Sequence, residues 1–213
     1  MSNKKVEKKK WSIPAYKVYI TIMFIIGIIS ILVPYYSILL IHDIFGCGHH
    51  NSGLDGFFWQ MGRALGFSSL IWFIISSIQG VTMNKHAKLF RKKAKARDLH
   101  CISSFLCIAL TIIHLVLLFV SEPWRSIILR TDSEHFSLTI FRGKILSGVV
   151  FAVIMSAVSI LSMFARKPKF MKKIGYRRFK IIHKIMMLST VILLFHIIFI
   201  NTELWIIFGL KLR

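Results

Sequence analysis

A chain of 213 residues with 55% hydrophobic and only 17% charged side chains carries too little charge for an ordinary soluble domain, where the charged share is roughly 25%. Its formal charge of +21 would suit a nucleic-acid binder, but the basic residues sit in short segments between long apolar blocks, which excludes that reading and marks a helical membrane protein. The length leaves no room for a flavin- or nucleotide-binding domain beside such a bundle, and no Gly-rich phosphate motif of the Rossmann or P-loop type occurs.

In chain order, residues 1–17 open with MSNKKVEKKKW and hold six Lys/Arg. They read as a basic cytoplasmic segment preceding one membrane domain, 18–213. The first apolar block, Val18–Ile41, is too long for a signal-peptide core of roughly 7–15 residues, and no small-residue cleavage site follows it. It is expected to stay as the first transmembrane helix, with Gly27 and Pro34 tolerable inside it and able to kink it. The next segment, His42–Gly62, contains no Lys or Arg and includes HDIFGCGHHNSGLD. Its His42, Cys47, His49 and His50 are candidate ligands for iron or copper. The spacing does not match a closed zinc site, so a ligand-free glycine-rich loop is favoured.

The second block, Arg63–Met83, starts with Arg63 at the helix edge. After it, Lys85–Arg97 holds seven Lys/Arg. The third block is Leu99–Val120, followed by Ser121–Lys144 with four basic residues. The fourth is Ile145–Ala165, then Arg166–Lys180 with eight, and the fifth is Ile181–Ile200. Each block is long enough for a hydrocarbon core of about 30 Å at about 1.5 Å rise per residue. The tail, Leu204–Leu210, is too short to span; it is read as an outer interfacial segment anchored by Trp205 or half of a re-entering helix. The fold class is therefore all-α, an integral membrane bundle of five transmembrane helices plus a short apolar C-terminal segment. The three basic segments alternate with the two poorer ones, which puts the N-terminus in the cytoplasm and suggests a multi-pass protein of the cell membrane in contact with anionic lipid. The third and fifth helices then run in the same direction. A faint repeat relates helices two and three to helices four and five at an offset near 80 residues, with Arg63 and Gly66 matched by Arg142 and Gly143.

Nine histidines are present, and four lie well inside spans: His100 and His114 on the third, His183 and His196 on the fifth. Imidazole in hydrocarbon is costly and marks a functional site. The first pair is 14 residues apart, about 21 Å of rise, and the second 13 apart, about 20 Å. On parallel helices His100 is level with His183 on the cytoplasmic side and His114 with His196 on the outer side. Two facing pairs at two depths suit two six-coordinate b-type haems that transfer electrons. One strain stands against this: 13 residues turn an ideal helix by about 1300°, which leaves His196 off the face of His183. A hydrogen-bonded interhelical contact or a histidine proton path is the competing reading. Arg63 is placed to pair with a haem propionate or to snorkel; Arg142 and Lys144 are weaker candidates of the same kind. Cys101 reads as a small packing residue, no disulfide framework is implied by Cys47, Cys101 and Cys107, and His86 and His135 fall in loops without a special role.

The segments RDLHCISSFLCIALTIIHLVLLF and YRRFKIIHKIMMLSTVILLFH resemble the two ligand helices of the ferric reductase-like transmembrane domain family, and GRALGFSSLIWF is similar to its second helix. That family includes the membrane part of NADPH oxidases and ferric-chelate reductases and the haem subunit of a methionine sulfoxide reductase system. The resemblance covers Gly62 to Ile200. It implies haem ligation by His100, His114, His183 and His196, and that the 13-residue spacing is workable. The sequence departs from the family by lacking a full sixth helix, by Met187 where many members have an aromatic residue, and by having no flavin or nicotinamide domain. The resemblance thus implies a separate cytoplasmic flavoprotein or reductase as electron donor. It implies an outer acceptor such as ferric iron, oxygen, quinone or a periplasmic reductase. The basic loops are suited to docking an acidic donor. The alternatives are a single-haem anchoring subunit of a reductase complex and a non-redox membrane protein.

Overall fold

The computed structural model describes residues 12–45, 53–90, 92–121, 136–164 and 168–200. They form α1 (Ser12–Phe45), α2 (Leu54–Val81), α3 (Met83–Leu89), α4 (Lys93–Val120), α5 (Phe136–Phe164), α6 (Pro168–Ile174) and α7 (Tyr176–Ile200). Among the described residues there is no strand. Five of the helices are long and apolar enough to cross a membrane, over Lys17–Ile41, Leu54–Val81, Lys93–Val120, Ile145–Phe164 and Arg177–Ile198.

The boundaries differ from those expected in three places. α1 starts at Ser12 and runs on through Pro34, so residue 17 marks no break in the backbone. α2 starts at Leu54, which puts Arg63 inside the helix rather than at its edge. The basic segments after α2 and α5 are not plain loops, because each contains a short helix, α3 and α6. Gly175 lies between α6 and α7 with φ of 80°. Its N–H donates to the Met171 carbonyl at 2.9 Å. That left-handed closure of a helix favours glycine, and α7 begins immediately after it. Cys47, His49, His50, His135 and the Leu204–Leu210 segment lie outside the described residues, as do the side chains of His42, Arg142, Lys144 and Met187.

Two antiparallel pairs make up the bundle: α2 lies along α4, and α5 along α7. α1 packs on α2, and α4 touches α5 more lightly. α4 and α7 barely meet. Lipid tails are as apolar as leucine, so packing of small residues and interhelical hydrogen bonds must hold such helices together. The α1–α2 contact shows both. The Trp72 indole N–H donates to Ser30 Oγ at 3.2 Å, and Ser30 Oγ lies 3.0 Å from Ser68 Oγ. Gly27 lets the indole approach: a Cβ there would be 3.6 Å from Trp72 Cζ2. Trp72 is 1% exposed and packs in a core with Met23, Leu65, Cys107, Leu110, Phe151 and Met155. Its truncation to alanine is expected to cost about 3–5 kcal/mol through the cavity it leaves, measurable as a lowered midpoint in SDS unfolding of the purified protein. Large apolar side chains such as Phe24, Phe105, Phe119, Val153 and Leu188 are more than 60% exposed; for a chain surrounded by lipid these are solvent-facing groups.

Candidate functional site

The gap between α4 and α7 is where the intramembrane histidines meet. His100 and His183 face each other across it with ring centroids 6.1 Å apart and planes at 74°. At the level farther from the basic end, His114 and His196 line one cavity together with Arg63, Gly66, Thr111 and Gly148. The cavity lies between α2, α4, α5 and α7 and has an empty volume of about 930 Å³, counting its open side. Arg63 reaches this cavity while its guanidinium stacks over Trp59, 5.6 Å from the ring centroid.

Both α4 imidazoles are held by the backbone of α2. His114 Nδ1 donates to the Gly62 carbonyl at 2.6 Å, and His100 Nδ1 donates to the Ser76 carbonyl at 2.9 Å. A carbonyl oxygen only accepts, so the proton in each bond belongs to Nδ1. A neutral ring then carries an unprotonated Nε2, the form in which imidazole binds a metal. Ser76 Oγ is also 3.3 Å from His100 Nδ1 and 2.6 Å from Ser104 Oγ.

Each of these rings also lies on a glycine. A Cβ on Gly66 would stand 2.9 Å from His114 Cε1 and 3.0 Å from its Nδ1, and one on Gly80 would be 3.2 Å from His100 Cε1. Gly66 and Gly80 are separated by 14 residues, as are His100 and His114; two helices with the same rise thus match ring to glycine at both levels. Gly62 and Gly66 form a small-xxx-small pair that brings α2 close to α4, with Leu118 Cδ2 only 3.0 Å from where a Gly62 Cβ would be.

The second hairpin repeats this arrangement at the level of His114. A Cβ on Gly148 would overlap the His196 ring. Gly148 follows Gly66 by 82 residues, and His196 follows His114 by the same 82. The internal repeat therefore pairs Gly66 with Gly148. Gly143, which the sequence pattern matches to Gly66, has no described residue within 4 Å of its would-be Cβ. His183 is supported differently, by Phe179 stacked one turn earlier at 5.9 Å and 21°. α7 is continuous from Tyr176 to Ile200, yet both its rings meet partners from α4. Each ring is steered by its own support, one by Phe179 and the other by Gly148, so ideal-helix rotation alone does not fix their directions.

Among the described residues no three of His, Cys, Asp and Glu cluster as a metal cage. The histidines occur as pairs. Two imidazoles on one metal put ring centroids roughly 6 Å apart, taking a metal–nitrogen bond of about 2 Å, and the His100–His183 spacing has that size. Histidines stand out in sequence as polar residues in apolar runs. Their supports (Gly62, Gly66, Ser76, Gly80, Gly148 and Phe179) do not, because small and aromatic residues are ordinary in membrane helices; the 14-residue glycine spacing was the one signal available. Comparison with protein-family models, curated proteins and solved structures gives no match.

Proposed function

We propose that the chain is a membrane b-type cytochrome in which His100 with His183, and His114 with His196, hold two haems that carry electrons across the bilayer. When bound, haem would supply a one-electron iron couple, and a pair of histidines holding each iron would suit it to electron transfer rather than substrate binding. Two protein ligands suit a group that brings four nitrogens of its own. The observation that carries the reading is the fixed Nδ1–H form of His100 and His114, which leaves Nε2 unprotonated on both rings, with His183 facing His100 and His196 lining the cavity of His114.

The chain's own residues have definable tasks in this scheme. α2 sets the tautomer of the α4 imidazoles, and the glycines give the rings room. The family resembled by the ligand helices, the ferric reductase-like transmembrane domains, is the group to which this proposal assigns the chain. Electrons would come from a cytoplasmic flavin- or nicotinamide-linked partner docked on the basic end, and leave to an outer acceptor: ferric iron, oxygen, quinone or a periplasmic reductase.

Arg63 lines the outer cavity, where a guanidinium suits a propionate. A positive charge there favours the reduced state, so Arg63→Met is expected to lower the midpoint potential of the outer haem and leave the inner one in place. A redox titration followed by absorbance reads this directly.

The function itself is tested in vesicles that enclose ferricyanide and carry the purified chain. Dithionite added outside is expected to bleach the enclosed ferricyanide only when the protein is present. Coloured protein that leaves the ferricyanide untouched would refute transmembrane transfer while sparing haem binding.

A further inference from the structure

We infer that Gln79 is a positioning residue for His100, clamping three helices at the level of that ring. Gln79 lies within a membrane span and is only 4% exposed. A polar side chain there needs partners, and its amide uses both ends. Its Oε1 accepts from Ser103 Oγ on α4 at 2.8 Å, and its Nε2 donates to the Tyr19 hydroxyl on α1 at 3.2 Å, with Met23 Sδ at 3.7 Å. Ser103 is fully buried, and its single hydroxyl proton is shared between Gln79 Oε1 and the Leu99 carbonyl, which lies 3.1 Å away.

The location of this clamp gives it a role beyond packing. On α2, Gln79 sits three residues after Ser76, whose carbonyl accepts from His100, and next to Gly80, on which the ring rests. On α4, Ser103 is three residues beyond His100, so the two share a helix face. The amide bridge thus sets the α2–α4 distance where the ring needs both its acceptor and its glycine. That distance decides whether His100 Nδ1 keeps the Ser76 carbonyl at 2.9 Å and how closely the ring lies on Gly80, where an added Cβ would stand 3.2 Å from Cε1. The repeat does not copy the device: the residue 82 positions after Gln79 is Leu161. The clamp belongs to the first hairpin and to its ring at the basic end.

The inference rests on the haem reading for one of its two readouts only. Gln79→Met keeps the size and removes the amide; Ser103→Ala deletes a single hydroxyl and serves if the first variant does not fold. In haem-free protein labelled with ¹⁵N-histidine, either variant is expected to mix the Nδ1–H tautomer of His100 with the other one while leaving His114 unchanged. In haem-loaded protein, affinity at the inner level is expected to fall about 10-fold, the lower end of what outer-shell partners of metal ligands carry, and the outer level to hold. A His100 resonance and an inner affinity both unchanged in folded Gln79→Met, or in Ser103→Ala, would overturn the assignment. Should the wild-type chain bind no haem, the tautomer measurement still decides it.

Discussion

Gly66→Ala is expected to strip the outer haem from a protein that folds normally, while Gly143→Ala changes nothing. The contrast follows from what each new methyl would meet. At Gly66 it would stand 2.9 Å from His114 Cε1 and 3.0 Å from Nδ1, closer than real Cβ contacts come. The ring cannot retreat, because Nδ1 is tied to the Gly62 carbonyl at 2.6 Å. Relief requires breaking that bond or moving α4 off α2, and either one displaces the ring from its seat. At Gly143 no described residue comes within 4 Å of the methyl. Alanine is the better helix former by about 1 kcal/mol, so a lost outer haem would not reflect an unfolded α2. Gly148→Ala is expected to act like Gly66→Ala through His196, and Gly80→Ala to weaken the inner level less, its contact being looser at 3.2 Å. Haem per chain and retention of a monodisperse gel-filtration peak are the measurements. Equal haem content in Gly66→Ala and Gly143→Ala would contradict the glycine seat.

Removing the proposed ligands themselves should separate the two levels. His114→Ala is expected to halve the haem content and abolish transfer into ferricyanide vesicles, and His100→Ala to do the same from the other end. Loss of a metal ligand exceeds the 10–100-fold typical of its outer-shell partners. The levels are expected to fail independently because they have separate supports: Gly62 and Gly66 under His114, Ser76 and Gly80 under His100. The remaining haem in each variant then has one midpoint potential, which assigns the two waves of the wild type. Joint loss of both haems in a monodisperse His114→Ala protein would rule out separate sites.

Much of this architecture is visible in the residues alone, for a physical reason. Bilayer thickness sets helix length, so five long apolar blocks have few alternatives, and a basic residue between blocks cannot be buried. The edges were harder to place. Leu54–Gly62 contains Asp55, Gln60 and two glycines, which read as loop by hydropathy. It is helical because its Gly56 and Gly62 are buried and Phe57 packs edge-on to Tyr35 of α1. The same misplacement put Arg63 at a helix end instead of inside the outer cavity. α3 is hidden by its lysines. What folds it is contact with α1 and α4: Phe90, just beyond it, is fully buried against Tyr19, Ala96 and Leu99.

The candidate site divides similarly. A histidine in hydrocarbon announces itself by its desolvation cost, so His100, His114, His183 and His196 are found without coordinates. A glycine beneath a ring has no such cost, and only tertiary packing shows that Gly148, rather than Gly143, is the counterpart of Gly66. Gln79 gives no such signal, because one amide in a long apolar run resembles a tolerated polar residue until its two partners on other helices are seen. The rotation penalty of a 13-residue spacing treats side chains as fixed spokes, whereas Phe179 and Gly148 give the two α7 rings different supports.

Haem stoichiometry in the purified chain, after expression with ample haem, tests the central claim most directly. Pyridine haemochrome analysis against protein concentration is expected to give two b-type haems per 213-residue chain, with a reduced spectrum unaffected by carbon monoxide because both axial positions are filled. A colourless, monodisperse protein, or one whose reduced haems take up carbon monoxide at both levels, would contradict it.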